Sequence, residues 1–161
     1  TLSSSSAASD VYKRQVASIS TRLTSDGYVT QVCDSSGVLE GDVLDALVDE
    51  PLRPDTTLTK AVESCQGIDG PAIAILGQLD ASDIDPLMDL RRDRVAGLAL
   101  ALDPDTFTAR RFRSSLKQAE AHERAVAELA DAGWTVVPVD SRTSIDSAWQ
   151  SLLQTARTVT L

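Results

Sequence analysis

The sequence has no asparagine, one histidine, one methionine, two cysteines and six aromatic residues in 161 positions. Some of these scarcities remove a class of function. A single histidine, His122, with no serine or cysteine nucleophile motif beside it, leaves no nucleophile, base and orienting group to assemble. Cys33 and Cys65 are 32 positions apart with no CxxC pair, so they read as small buried hydrophobes of a reducing compartment, not as a disulfide or a metal site. The longest apolar run, residues 95–102, is eight residues against the roughly 20 needed to cross a bilayer. There is no GxGxxG and no GxxxxGK[ST], which removes the usual dinucleotide and P-loop sites. Three lysines against twelve arginines, with no asparagine, is the bias of GC-rich coding and carries no mechanism.

What is present is acid. A formal charge of −9 and a pI near 4.5 oppose binding to a phosphate backbone, which needs a basic face, and favour a basic protein partner or a plain solubilising surface. Mean hydropathy near zero with 42% hydrophobic residues fits a soluble globular domain.

Apolar spacing alternates helical and strand-like segments from Val16 onward. Val16, Ile19 and Leu23 predict a helix ending at Gly27, and residues 28–33 read as a strand of β-branched and aromatic residues. A turn-rich link over 34–41, with a short hairpin strand at Val38 and Leu39, leads to a short helix over 42–48, a loop over 52–57 and a helix over 58–66 capped by Thr57. Residues 71–76 (PAIAIL), 95–102 (VAGLALAL) and 134–139 (WTVVPV) are apolar runs without strict alternation, as in a parallel sheet covered on both faces. Between them lie a helix capped by Asp85 with Pro86 first, and a long helix over 114–132 with Phe112, Leu116, Ala119, Val126, Leu129 and Ala130 on one stripe. A last helix carries Ile145, Ala148, Trp149 and Leu152, capped by Thr143 or Ser144. This alternation predicts an α/β fold with a doubly wound, mainly parallel sheet.

Residues 1–15 differ in character, with no apolar periodicity, and read as an unfolded leader. Residues 5–15, SSAASDVYKRQ, resemble the in-frame translation of an adapter used in transposon-based sequencing. We set 1–15 apart as a disordered engineered scar and assign the fold to 16–161. An adapter joined directly to Val16 carries the expectation that the natural chain starts further upstream.

The ordered set "DGYVTQVCD", "GPAIAILGQLD", "VAGLALALD" and "LADAGWTVVPVDSRTSIDSAWQSLL" resembles the later part of the von Willebrand A-like domain of the bacterial "domain of unknown function 58" family. The resemblance implies a Rossmann-like sheet whose N-terminal central strand is missing here, between the strand at Tyr28 and that at Pro71. It also implies a cytoplasmic domain tethered to the inner membrane by upstream helices, and partnership with a MoxR-type AAA+ ATPase. Such domains hold a divalent cation through Asp-x-Ser-x-Ser on the first strand. The nearest string here, Asp34-Ser35-Ser36-Gly37-Val38, lacks the second serine, so a cation is expected only with the upstream segment and no cofactor with this chain.

Four expected strand ends carry carboxylates: Asp34, Asp80, Asp103 and Asp140. Carboxyl ends of parallel strands form the edge where ligands bind, so the four are candidates for one acidic binding rim, against their ordinary use in turns and caps. Asp103-Pro104-Asp105 also resembles the phosphatase signature of the haloacid dehalogenase group, in which the first Asp attacks phosphorus and the second donates a proton. That signature wants Thr or Val where Phe107 stands, and the only downstream lysine is Lys117, fourteen positions after Asp103. His122 reads as a satisfied histidine at a core margin. The clusters Arg91, Arg92, Arg94 and Arg110, Arg111, Arg113 read as solvated helix flanks.

Overall fold

The computed structural model describes residues 3–34, 37–39, 45, 58–67, 69–92, 94, 96–107 and 115–159. They form a mixed α/β structure that divides into two compact units, Thr1–Ile68 and Asp69–Leu161, where the sequence suggested one domain over 16–161.

The first unit opens with helix α1, Ser3–Ser25. Residues 3–15, expected to be without structure, are therefore helical. No proline or glycine interrupts 3–25, and Ala, Lys, Arg and Gln are good helix formers, so the periodic segment from Val16 extends upstream. Ala17, Ile19 and Ser20 are buried among the described side chains of this helix. The helix ends as the sequence suggests: Gly27 has φ +89°, its N–H donates to Thr24 O, and the Tyr28 N–H donates to Leu23 O, the paired bonds of a Schellman stop.

The strand expected over 28–33 is not formed. Tyr28 and Val29 are exposed, and regular pairing begins only at β1 (Cys33–Asp34), antiparallel to β2 (Gly37–Val38). β-branched composition favours an extended chain only where a neighbouring strand and a buried face receive it, and here the pairing is a two-residue hairpin. Helix α2, Leu58–Ser64, packs on that hairpin with Val62 buried. The expected cap Thr57, the loop over 52–57 and, apart from Asp45, the helix over 42–48 lie outside the described residues.

The second unit contains a three-stranded parallel sheet in the order β3 (Ala72–Leu76), β4 (Gly97–Leu102), β5 (Trp134–Val139). Register is continuous, from Ala72 beside Gly97 beside Trp134 to Leu102 beside Val139. All six residues of β4 are buried, which requires cover on both faces, and helices supply it. Helix α3 (Ile84–Arg92) packs on α5 (Leu116–Asp131), while α5 and α6 (Ile145–Val159) pack on β5, and α6 reaches β4. A short helix α4, Pro104–Phe107, follows β4. Leu87, Leu100, Leu102, Leu129, Val139 and Leu152 are the largest fully buried side chains of sheet and helices, each worth about 1.5–3 kcal/mol of burial. This is a Rossmann-like α/β arrangement.

Helix starts differ from the sequence reading in detail. The cap before α3 is Asp80, not Asp85: its Oδ1 accepts from Ser82 N while Asp83 Oδ2 accepts from Asp80 N, a capping box on the 3₁₀ turn Ala81–Asp83 that runs into α3. Pro86 then sits within the first turn of α3, where a missing N–H costs nothing. Ser115 and Gln118 form the equivalent box for α5. Leu116, expected on the core stripe, is 77% exposed, because burial on α5 is confined to Ala125 and Leu129 in its C-terminal half, and Ala130 is exposed too. Phe112 lies outside the described residues. On α6 the stripe holds at Ala148 and Leu152, and Ser144 Oγ accepts from Ser147 N.

At the amino end of the sheet, long-range side-chain contacts join these elements. The Trp134 indole, 3% exposed, donates to Leu87 O at 3.2 Å. Arg91 donates from Nε to Gly133 O at 3.1 Å and from Nη1 to Arg94 O at 2.8 Å, so this arginine belongs to the architecture and not to a solvated flank. Gly97 lies between them: a Cβ there would stand 2.7 Å from Arg91 Cδ and 2.8 Å from the Trp134 ring.

A candidate binding rim at the carboxyl end of the sheet

The opposite end of the sheet is acidic. Asp103 and Asp140 directly follow the paired residues Leu102 and Val139, so adjacent strands deliver them side by side, about 5 Å apart along the sheet. The Asp103 N–H donates to Val139 O, which carries the ladder into the rim. Asp80 comes four residues after Leu76, at the end of the loop that leaves β3. Asp34 is elsewhere: it ends a hairpin strand in the first unit, where its Oδ1 accepts from Gly37 N at 3.2 Å, and it does not end a strand of the parallel sheet. Of the four expected rim residues, three therefore follow strands of the parallel sheet.

Each of the three uses its Oδ1 to hold the turn that follows. Asp80 accepts from Ser82 N and Ser82 Oγ at 2.8 and 2.6 Å. Asp103 accepts from Asp105 N at 3.0 Å and so starts α4. Asp140 accepts from the Arg142 and Thr143 amides and from Thr143 Oγ1 at 2.7–2.9 Å. The hydroxyl and amide of Ser82 hold the Asp80 carboxyl below its ordinary range, and Thr143 with the Arg142 amide does the same for Asp140. The capping use of Asp and its display at a sheet end are therefore one arrangement. The turns fix the backbone, and the carboxylates remain at the surface as anions.

Neutral groups tie the rim together across the chain. Thr106 Oγ1 donates to Asp103 O and accepts from Ser141 N, joining the β4 and β5 ends. Gln78 Nε2 donates to Gln118 O at 2.8 Å, and the Leu79 N–H donates to His122 Nδ1 at 3.1 Å, so the loop after β3 is fastened to α5. Half-buried His122 has its pKa lowered by burial, against the opposing pull of Asp103, Glu123 and Asp105. The sequence reading placed His122 at a core margin without finding its partner.

Among the described residues no group of three or more His, Cys, Asp or Glu converges as a metal-ligand set, and no helix is long and apolar enough to cross a membrane. Ser35, Ser36, Arg110, Arg111 and Arg113 lie outside those residues. Arg92 pairs with Asp89 at 2.8 Å on the surface. No family model, curated protein or solved structure matches the chain.

Proposed function

We propose that this chain is a non-catalytic protein-interaction module, the later part of a von Willebrand A-like domain, serving in the cytoplasm as an adaptor for a MoxR-type AAA+ ATPase. The observation that carries the binding role is the juxtaposition of Asp103 and Asp140 on aligned strand ends with Asp80 on the neighbouring loop, each anchored through its own turn. Fixed anions on a rigid edge suit a basic surface on a partner, since little order has to be imposed on binding. The family and the identity of the ATPase rest on the sequence resemblance alone.

Aspartate to asparagine is the informative change, because asparagine keeps an Oδ1 acceptor for each turn and removes only the charge. The triple variant Asp80→Asn, Asp103→Asn, Asp140→Asn should show weakened capture of a MoxR-type ATPase, most clearly at low salt. Unchanged capture would remove the rim from the account. The rival, a haloacid dehalogenase-like phosphatase, makes the opposite use of Asp103. Turnover of a generic phosphate ester that vanishes in Asp103→Asn would establish that rival.

A further inference from the structure

We propose that His122 is an acid-operated latch: protonation of its Nδ1 releases Leu79, in the loop after β3, from helix α5. This goes beyond the adaptor reading and does not depend on it. The geometry fixes the neutral tautomer. A backbone N–H can only donate, so the 3.1 Å bond from Leu79 N requires an unprotonated Nδ1, and the ring proton sits on Nε2. In imidazolium both nitrogens are donors, and two N–H groups then face each other where a bond had been.

The released ring has an alternative. Asp103 and Asp105, on the turn after β4, and Glu123, on the same helix, are the charges that favour the imidazolium. On the loop itself, Asp80 and Asp83 are engaged in their capping box. Protonation therefore exchanges a bond to the loop for attraction to the acidic rim. Burial of the ring acts the other way and sets the exchange below the ordinary histidine range. The part that moves is defined as well. Leu79 is 4% exposed, so its release withdraws an apolar anchor from beside the rim, while the Gln78 bond to Gln118 O does not titrate and keeps the rest of the loop tethered to α5.

The test is an NMR titration of the intact chain from pH 7.5 to 5, following the imidazole nitrogens, the Leu79 amide and, as a core reference, the Leu100 amide. The Nε2–H tautomer is expected at pH 7.5, and the Leu79 amide should shift with the His122 midpoint. After correction for intrinsic exchange, Leu79 should exchange about fivefold faster relative to Leu100 at the acid end, the factor that one lost hydrogen bond carries. In His122→Asn, whose Oδ1 takes the place of Nδ1 without titrating, the ratio should stay constant. An Nδ1–H tautomer, a Leu79 amide that ignores the His122 midpoint, or the same acceleration in His122→Asn would each overturn the latch. The wild-type titration alone decides the matter if the variant folds poorly.

Discussion

The two ends of one parallel sheet are built on opposite plans. At the amino end a charged side chain, Arg91, is drawn into the framework and holds backbone carbonyls, one of them 42 residues away, while Trp134 reaches Leu87 across 47 residues. At the carboxyl end Asp80, Asp103 and Asp140 hold groups two or three positions on, and the long-range side-chain bonds described there come from neutral groups: Gln78, Thr106 and His122. The contrast separates stability from display. One end holds the unit together with groups that cannot be spared, and the other leaves its charge on the surface.

Substitutions can break this contrast, beginning with the largest effect. Trp134→Ala should lower unfolding stability by about 3–5 kcal/mol, since it empties a buried aromatic site and removes the indole N–H that donates to Leu87 O. Urea unfolding monitored by circular dichroism measures it. A loss below about 1 kcal/mol would mean that the amino end does not hold the unit together. Gly97→Ala should cost about 1–3 kcal/mol, because the added methyl meets the Trp134 ring and the Arg91 stem at distances that real contacts do not show. The rim should behave differently. The triple asparagine variant described above should melt within about 2 °C of the parent at neutral pH, since its turns keep their acceptors. A large fall would merge the two ends into one structural role.

The smallest expected effect lies in the pH dependence, where the ends should again part. His122 has a folded pKa below its ordinary 6.5, so the unfolded chain binds more protons between the two values. That share of stability is complete above pH 6.5 and is lost as pH falls toward the folded pKa. For Asp80 and Asp140, held below 3.8, the share is complete above that value and is lost only as pH falls through their folded pKa values. Melting curves should therefore soften first below pH 6.5 through His122 and again below 3.8 through the two aspartates. His122→Asn should remove the first step alone, whereas Gly97→Ala should lower the whole profile without changing its shape.

How far the sequence reveals this follows from the range of the interactions concerned. The runs 71–76, 95–102 and 134–139 mark β3, β4 and β5 because a strand covered on both faces must be apolar throughout, and that is a local property. Asp103 and Asp140 are visible as strand-end carboxylates for the same reason. The strand read into 28–33 is an error of the same logic: its composition favours extension, but composition does not supply the neighbour a strand needs. The cap at Asp80 was hidden behind the stronger local pattern of Asp85-Pro86, although Asp80 and Asp83 have capping-box spacing. The bond from Leu79 to His122 spans 43 residues and the Arg91–Gly133 contact spans 42. No local pattern encodes such pairs, so the role of His122 and the structural use of Arg91 emerge only once the chain is folded.

Strand order in the second unit equals chain order: β3 pairs with β4 and β4 with β5, with no later strand inserted between earlier partners. Each new strand can add to an edge that already exists, together with the helix that precedes it. Loop closure is then confined to one strand–helix–strand step at a time, which keeps the average sequence separation of contacts low for a parallel sheet. Synthesis from the amino end delivers the pieces in the same order, so β4 can dock on β3 before β5 leaves the ribosome. Among the described residues no strand pairs with the outer side of β5, Trp134–Val139, and Pro138 within it lacks the amide that another strand would need.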